Sequence, residues 1–473
     1  MQSKAVRIAI LWSCSSVGCA VVAGLGDPPI VVSTDAGDAS DADAAALDFG
    51  VDTQTSPDVV DSTTPDTWSD VAADTTIDAG AEATLDVLYA TDAPDAPDAA
   101  DAADAADAAD ATESGSIDYV TGVTVSTLAG SSFPGTTDGH GTDATFSNPT
   151  GIAVATTGEI YVTDYDTSLV RRITPAGAVT TLATPSTFHQ PFALAFVPGV
   201  SGLLAQTDVD ITGVKSSTSG TIWNLSMSTT GDAGVPTGDA ALDAGDAGPV
   251  TGTVVRAGMF RPRGLAGLTT GNVFVADHIR NVVSLLDLGK GTLMDLAGTD
   301  GAADFANGTG PAALFNGPYG AVQLADGSVV VADSNNHCLR RVTLDGVVTT
   351  FAGDGVAGSV DSADPLTARF QYPRDVTVDG AGNVYVADVG GSVSVEAGVI
   401  RFGVSVRRVD ATGRVQTLAG DGNAGFQDGP GPIAEFYGLE GIDVSPDGRL
   451  VYVTDGNEGD GSRYNCVRKI SLP

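Results

Sequence analysis

Short apolar segments alternate with glycine turns through residues 119–473, and this pattern predicts β-strands rather than helices. One strand motif recurs with aspartate at its end, as in EIYVTD, NVFVAD, SVVVAD, NVYVAD and LVYVTD. These copies end at Asp164, Asp277, Asp333, Asp388 and Asp455. Short apolar runs bounded by turns are typical of strands buried within a sheet. The second part of the chain is therefore predicted to be all-β.

The strands belong to a unit that is repeated in tandem. Each unit opens on a phenylalanine, continues with a short strand that usually starts at proline, and contains four strands joined by turns. A connecting phrase rich in glycine and aspartate precedes the phenylalanine, for example LAGDGNAGFQDGPGPIAEF. The units begin near Phe146, Phe188, Phe260, Phe315, Phe370 and Phe436. Tandem four-stranded units are typical of β-propeller blades, so we expect six blades, the second of them degenerate.

The ends of the repeated region predict how the ring closes. The sixth unit has no fourth strand, because the chain stops at Pro473 soon after its third. Residues 123–130 match a fourth strand and have no blade before them. Pairing this segment with the last blade closes the ring and leaves no open edge. We therefore predict a six-bladed propeller over 119–473, closed by an N-terminal strand and interrupted by an acidic loop insertion at about 229–250.

The fourth unit resembles a known repeat. Asp333 is followed by Asn336, His337 and the pair Arg340 and Arg341, in the sequence DSNNHCLRR. This spacing resembles the NHL repeat, as do the DG-x-G phrases of the connectors. The resemblance covers about 119–473 and implies a β-propeller of the kind found in exported bacterial proteins and lipoproteins. It implies no single activity, because one fold hosts many functions.

The first part of the chain has a different composition. Residues 1–118 contain 24 Asp or Glu but only Lys4 and Arg7 as basic residues, which gives −22 of the net charge of −38. A segment so acidic and poor in apolar residues cannot form a core, so residues 20–118 are predicted to be a disordered spacer. The acidity also disfavours nucleic acids and anionic lipid surfaces as partners.

The N-terminus predicts export. Lys4 and Arg7 precede a short apolar run at 8–12, and small residues follow up to Cys19. This order is typical of a signal peptide, here 1–19, and the end of the segment resembles a lipobox with Cys19 as the lipid attachment site. Cys14 is the alternative lipidated residue, and secretion without a lipid and an uncleaved anchor also remain open. We expect a protein of the cell envelope or surface that contacts the membrane only through the lipid.

Two features of the units have a structural interpretation. The recurrent aspartates are expected to accept backbone N–H bonds at the turn after the second strand. Paired basic residues occur in third strands, for example Arg340 with Arg341. Because neighbours in a strand point to opposite faces, one member of each pair is expected to pack against a carboxylate while the other is exposed.

The histidines are the candidate metal ligands. His140 and His189 lie in connectors, while His278 and His337 directly follow second strands, which predicts that all four lie on the same rim of the propeller. A zinc site needs three or four converging ligands. The sequence therefore favours no cofactor, with Zn²⁺ or Ca²⁺ as the alternative. Cys338 and Cys466 occupy the same position in blades that are not neighbours, so we expect buried thiols rather than a disulfide.

These features favour an interaction module over an enzyme. We expect an exported, membrane-tethered monomer that binds a protein or a glycan on the face where the connectors lie. A metal-dependent hydrolase or lyase acting at that face is the alternative function, and a purely structural envelope protein is another.

Overall fold

A computed structural model describes residues 117–473 except 183, 217–218, 227–250, 391–403 and 457–463. It confirms the all-β class and the six-bladed β-propeller. The predicted signal peptide, Cys19, the spacer up to residue 116 and nearly all of the acidic insertion lie outside the described residues. No helix in the described ranges is long and apolar enough to cross a membrane.

Each of the first three blades is built on four antiparallel strands, and the short strand β2 adds a fifth to the sheet of blade 1. Before them lie β1 (Thr124–Ser131) and the two-residue strand β2 (Gly139–His140). Blade 1 contains β3 (Pro149–Val154), β4 (Ile160–Asp164), β5 (Leu169–Ile173) and β6 (Ala178–Leu182). Blade 2 contains β7 (Pro191–Ala195), β8 (Leu203–Thr207), β9 (Gly220–Ser226) and β10 (Thr251–Met259). Blade 3 contains β11 (Pro262–Gly267), β12 (Val273–Asp277), β13 (Val282–Asp287) and β14 (Thr292–Gly298).

The other three blades follow the same plan. Blade 4 is preceded by β15 (Gly308–Thr309) and contains β16 (Pro318–Gln323), β17 (Val329–Asp333), β18 (Cys338–Val342) and β19 (Val347–Ala352). Blade 5 contains β20 (Tyr372–Val378), β21 (Val384–Val389), β22 (Val404–Val409) and β23 (Val415–Ala419). Blade 6 is preceded by β24 (Gly429–Pro430) and contains β25 (Leu439–Val444), β26 (Leu450–Asp455) and β27 (Asn465–Ser471). Single 3-10 turns lie at Gly141–Asp143, Gly310–Ala312, Ser334–Asn336, Pro365–Thr367 and Gly431–Ile433.

The ring closes as predicted, through β1. This strand pairs antiparallel with β27, with Val125 opposite Ile470, and becomes the outermost strand of blade 6. The two ends of the propeller are thereby held in one sheet, which removes an unpaired strand edge. The first strand of each blade contacts the first strands of both neighbouring blades, so these six strands surround a central channel.

Four connectors are paired with the blade that follows them. In these, the chain leaves the outermost strand of one blade and pairs with the outermost strand of the next blade before it returns to the channel. The short strands β2, β15 and β24 mark this contact, because they pair with β6, β19 and β1. A bridge between Ser362 and Val415 does the same in blade 5. The repeated phrase of the sequence is therefore the segment that joins consecutive blades.

A buried arginine in the third strand fixes the connector in place. In blade 4, Arg340 donates through Nη1 to Asp333 Oδ2 at 2.7 Å and to the Leu314 carbonyl at 3.0 Å. Its Nη2 donates to the Ala306 carbonyl at 2.7 Å and to Asn307 Oδ1 at 2.9 Å. One guanidinium thus joins the end of the second strand to both arms of the connector. Such a charge is tolerated in the interior because it is paired and hydrogen-bonded.

Three further blades contain this arginine clasp. The clasp arginines of blades 1, 5 and 6 are fully buried: Arg171, Arg407 and Arg468. Each bonds a connector carboxylate at 2.6 to 2.9 Å, from Asp138, Asp361 and Asp428 respectively. The connector's phenylalanine lies beneath the guanidinium in all four blades, at 4.9 to 5.3 Å. The clasp explains why the phrase carries Asp or Asn in its middle and ends on phenylalanine.

Blades 2 and 3 lack the clasp. In blade 4 the clasp arginine, Arg340, pairs across the sheet with Val331. The residue at the equivalent position is Trp223 in blade 2 and Ser284 in blade 3. In blade 2 the second strand also ends differently, because Thr207 rather than Asp208 pairs with the proline of the first strand. Asp208 therefore lies one residue beyond its strand, whereas the recurrent aspartates of the other blades pair within theirs.

The clasp predicts unequal effects for two adjacent arginines. Replacing Arg340 by Met leaves Asp333 and the connector carbonyls buried without their donor, which costs about 3–5 kcal/mol of unfolding free energy. Arg341 is its matched control, because it is 41% exposed and pairs with the exposed Asp326. Arg341→Met should cost about 1 kcal/mol or less. Denaturant unfolding of the full chain measures both changes, and equal losses would contradict a structural role specific to Arg340.

Candidate functional site

The channel opens on the connector face into a cavity of about 600 Å³, which we call the mouth. Every blade contributes to the mouth the residue that follows the first-strand proline, or Leu439 in blade 6. These six residues, the inner ring, are Thr150, Phe192, Arg263, Tyr319, Arg374 and Glu440. Residues at or directly after the ends of the second strands form a further layer, which includes Tyr165, His278, Ser334 and Val389. A concave site of this volume is in the range of small-ligand pockets, about 300–1,000 Å³.

Below the mouth the channel narrows. A constriction of about 20 Å³ separates the mouth from a cavity of about 300 Å³ at the opposite end, which we call the far opening. Asp375 lines the constriction, and the other blades have small residues at the equivalent position. A Cβ on Gly320, in the neighbouring blade, would lie 2.0 Å from Asp375 Oδ1. Glycine is therefore required at position 320. Burial raises the pKa of Asp375 to about 8, against the opposing effect of hydrogen bonds from the backbone N–H groups of Ile442 and Val376.

Arg263 is a buried charged group of the inner ring. Its side chain is 8% exposed, and its Nη2 donates to Asp208 Oδ2 at 2.9 Å. The guanidinium lies over the Phe192 ring, 3.7 Å from the ring centre, in a cation–π contact. Burial acts to raise the pKa of Asp208, but the nearby Arg263 and Arg261 lower it below its usual value. The pair is therefore an ion pair at neutral pH.

A second polar group lies across the mouth. Arg374 Nη1 donates to Tyr319 Oη at 3.0 Å and to Glu440 Oε1 at 3.2 Å. Tyr319 is almost fully buried, and both burial and the charge of Glu440 raise the pKa of its hydroxyl. On the other wall, Tyr165 donates to Asp208 Oδ2 at 3.0 Å. Phenol hydroxyls and carboxylates therefore alternate with guanidinium groups around the opening.

His278 completes the wall between these two groups. Its ring packs edge-on against Tyr319, with ring centres 5.2 Å apart, and its Nδ1 is buried without a partner among the described residues. Burial, together with the neighbouring charges of Arg263 and Arg374, lowers the pKa of His278 to about 4. The imidazole is neutral at physiological pH for these reasons.

The structure does not bring the four histidines together. His278 lines the mouth, whereas His140 ends β2 against the outermost strand of blade 1. His189 lies in the connector to blade 2, beside Gly213. Within the described ranges there is no group of three or more His, Cys, Asp or Glu placed to hold a metal ion. A metal site at these histidines therefore stays a prediction from the sequence.

His337 links neighbouring blades. It has a left-handed backbone with φ of 53°, its Nδ1 contacts the Gln371 carbonyl in the next connector, and its ring packs on Tyr372. The equivalent residues in three other blades bond the next connector with the opposite polarity, because each accepts a backbone N–H, at 2.7 to 3.1 Å: Ser168, Asn281 and Asn465. The histidine of the repeat thus occupies a position that joins consecutive blades.

The recurrent aspartates also bond the connector. Asp164, Asp277, Asp333, Asp388 and Asp455 each accept a backbone N–H at 2.7 to 3.1 Å from the segment just before the first strand. Asp277 also accepts the backbone N–H of Arg280, in the turn after the second strand. The sequence analysis predicted hydrogen bonds in this turn for all five aspartates. Cys338 and Cys466 are buried free thiols, as expected.

The sequence contained a signal for the inner ring that spacing arguments missed. Aligning the units on the proline places one residue of each unit in a single column, and that column reads Thr, Phe, Arg, Tyr, Arg, Glu. Residues with a structural role recur from unit to unit, whereas no two consecutive units have the same residue in this column. Variation at one register of an array is therefore the feature that identifies the mouth.

The fold and the repeat define the class of this protein. Residues 146–173 and 315–341 match the family model of the NHL repeat. The chain is a six-bladed β-propeller that contains NHL repeats, which confirms the resemblance seen in the sequence.

Two relatives match by sequence. The chain is 25% identical over 265 residues to the Arabidopsis thaliana protein SUPPRESSOR OF QUENCHING 1, chloroplastic, which covers 44% of this chain and 25% of that protein. It is 31% identical over 185 residues to NHL repeat-containing protein 2 of Bos taurus, which covers 36% of this chain and 24% of that protein. The chain spans about a quarter of the length of these curated relatives.

Solved structures share the fold. A protein of unknown function from Bacteroides thetaiotaomicron superposes with a TM-score of 0.53 at 20% identity, covering 74% of this chain and 76% of that one. An auxiliary nutrient binding protein from the same organism superposes with a TM-score of 0.52 at 17% identity, with the same coverage. At this identity the likeness shows the architecture alone.

The electrostatics of the mouth predict how His278 titrates. Its imidazole should stay neutral as the pH falls from 7 and should gain a proton only near pH 4. Arg263→Gln removes a nearby positive charge, so the pKa of His278 should rise toward its ordinary value while burial still holds it below. NMR titration of the histidine ring protons measures both, with Arg341→Gln as the distant control. A wild-type pKa near 6.5 would contradict the described surroundings of His278.

Proposed function

We propose that this protein is a ligand-binding propeller and that the mouth binds a glycan. The observation that carries the proposal is the inner ring, because six blades that repeat one structural plan present six residues of four chemical kinds to a single cavity. A repeated scaffold needs no such variety at one register, whereas a specific binding site does. The fold shared with an auxiliary nutrient binding protein supports the same conclusion.

The shape and chemistry of the mouth favour a glycan over a protein partner. The site is concave, with a volume of about 600 Å³, which suits one or two sugar rings better than the flatter surface of a protein. Phe192, Tyr319 and Tyr165 supply ring surfaces, while Asp166 and Glu440 supply acceptors for hydroxyl groups. Aromatic walls with a few converging polar groups are the common composition of small-ligand sites.

The sequence supports a location for this activity. A signal peptide at 1–19, a lipid on Cys19 and an acidic spacer up to residue 118 would tether the propeller outside the cell membrane and hold it away from the lipid surface. A tethered propeller could capture glycans at the cell envelope. This part of the proposal rests on the residue pattern of the N-terminus.

Blocking the mouth tests the binding site. Asn335 is exposed and lines the mouth, so Asn335→Trp should obstruct it without disturbing the core. Its matched control is Thr269→Trp, because Thr269 is equally exposed but lines the far opening. On an array of bacterial and plant saccharides, the full chain should bind at least one saccharide. Asn335→Trp should lose that signal about tenfold or more, which corresponds to roughly 1.4 kcal/mol.

The control variant decides the interpretation. Thr269→Trp should bind like the wild type. Binding that Thr269→Trp abolishes and Asn335→Trp retains would contradict the proposal by placing the site at the far opening. Absence of saccharide binding, with a protein partner recovered that Asn335→Trp still binds, would also contradict it.

The tether is tested at the mature N-terminus. Mass spectrometry of the protein purified from membranes should show a chain that starts at Cys19 and carries the mass of a lipid. Cys19→Ala should release the protein from the membrane fraction, whereas Cys14→Ala should not. An unmodified N-terminus before Cys19, or a lipid on Cys14, would refute the assignment.

A further inference from the structure

We propose that the mouth selects a saccharide that carries a carboxylate, and that Arg263 binds this carboxylate. The inference rests on the proposed glycan-binding function and names the chemical class of its ligand. The supporting observation is the buried guanidinium of Arg263, which lines the mouth and has one nitrogen without a hydrogen-bond partner among the described residues.

Arg263 lines the mouth and has a donor that no described residue satisfies. Its Nη2 is engaged by Asp208, but its Nη1 is buried without a hydrogen-bond partner in the described part of the chain. A buried donor left unpaired costs about 1–3 kcal/mol, and more when the group is charged. The residue lines the mouth, so an acceptor on a ligand can meet this donor. The clasp arginines differ, because both Nη atoms of each make hydrogen bonds to the protein.

The surroundings hold this donor in place. Arg263 lies between the Phe192 ring, 3.7 Å from its centre, and the Asp208 carboxylate, so the planar group cannot turn freely. Arg261 adds a second positive charge 3.6 Å from the same carboxylate and is one-third exposed. A guanidinium fixed in this way matches the planar oxygens of a carboxylate and bonds them more strongly than neutral acceptors.

The other charges of the mouth favour a single negative charge on the ligand. Asp166 and Glu440 place two carboxylates in the lining of the mouth, where Arg263 and Arg374 also lie. A doubly charged phosphate would meet repulsion from both. The same two carboxylates accept hydrogen bonds well from uncharged hydroxyl groups. A sugar ring with one carboxylate satisfies both requirements.

His278 supplies a second unsatisfied polar atom. Its buried Nδ1 has no partner among the described residues, and the ring is neutral at physiological pH. A neutral imidazole nitrogen can donate to or accept from a sugar hydroxyl without adding charge. Two buried polar atoms on the same cavity, one cationic and one neutral, therefore fit a ligand with both a carboxylate and hydroxyl groups.

Matched sugars test the inference by calorimetry on the full chain. D-galacturonate and D-galactose differ at C6 alone, where a carboxylate replaces a hydroxymethyl group, and D-glucuronate with D-glucose forms a second pair. The wild type should bind the acid of at least one pair about tenfold or more tightly than its neutral partner, because a charged hydrogen bond contributes roughly 1.5–3 kcal/mol. Galactose 6-phosphate should bind no better than galactose.

Variants assign the preference to Arg263. Arg263→Gln should reduce affinity for the acid about tenfold and leave affinity for the neutral sugar within about twofold. Its thermal unfolding is measured alongside, and Arg263→Lys keeps the positive charge but should still lose most of the preference because it lacks the planar fork. Arg341→Gln, on an exposed strand face, should bind both sugars like the wild type.

The outcomes separate this inference from the function on which it rests. Equal affinity for acid and neutral sugar, a stronger preference for the phosphate, or an acid preference that survives Arg263→Gln would overturn the inference. No binding of either acid would overturn it as well. A neutral saccharide found on the array and lost in Asn335→Trp would leave the glycan-binding function standing while the carboxylate class fails.

Discussion

The arginine clasp is the interaction on which the rest of this propeller depends. In blade 4 a single buried guanidinium bonds the end of the second strand and both arms of the connector, and the connector phenylalanine packs beneath it. An arginine supplies five donors in a rigid plane, so it can satisfy carbonyls that would otherwise be buried without partners. In the four blades that contain it, the clasp therefore sets where the connector returns to the channel, and with it where the inner-ring residue of that blade lies.

The two blades without the clasp supply much of the charge at the mouth. Thr207 takes the place of the recurrent aspartate in blade 2, so Asp208 lies one residue further along and pairs with Arg263 of blade 3. The connector into blade 3 is also one residue shorter, which places Arg261 directly before the first strand. Arginines thus have a structural role in some blades and line the binding site in others. A guanidinium that bonds the protein in a clasp cannot bond a ligand.

Much of the architecture could be predicted from the sequence because it follows from local rules that repeat. Strand period, turn residues and the missing fourth strand predicted six blades and closure by β1, and alternation along the strand predicted that one of Arg340 and Arg341 is buried and the other exposed. The mouth could not be predicted in this way, since its residues are the ones that do not repeat. His140 shows the limit: the sequence places it in a connector, but the pairing of β2 with β6 puts it at the outer edge of blade 1.

The central claim is that Arg263 presents a buried, unused donor to a ligand in the mouth. A crystal structure of the full chain soaked with the sugar acid that binds best tests this claim most directly. We predict that the carboxylate lies within hydrogen-bond distance of Arg263 Nη1, with the sugar ring against the inner ring of residues. A carboxylate bound at the far opening or on the outer face of a blade, with the mouth occupied by solvent, would contradict the account.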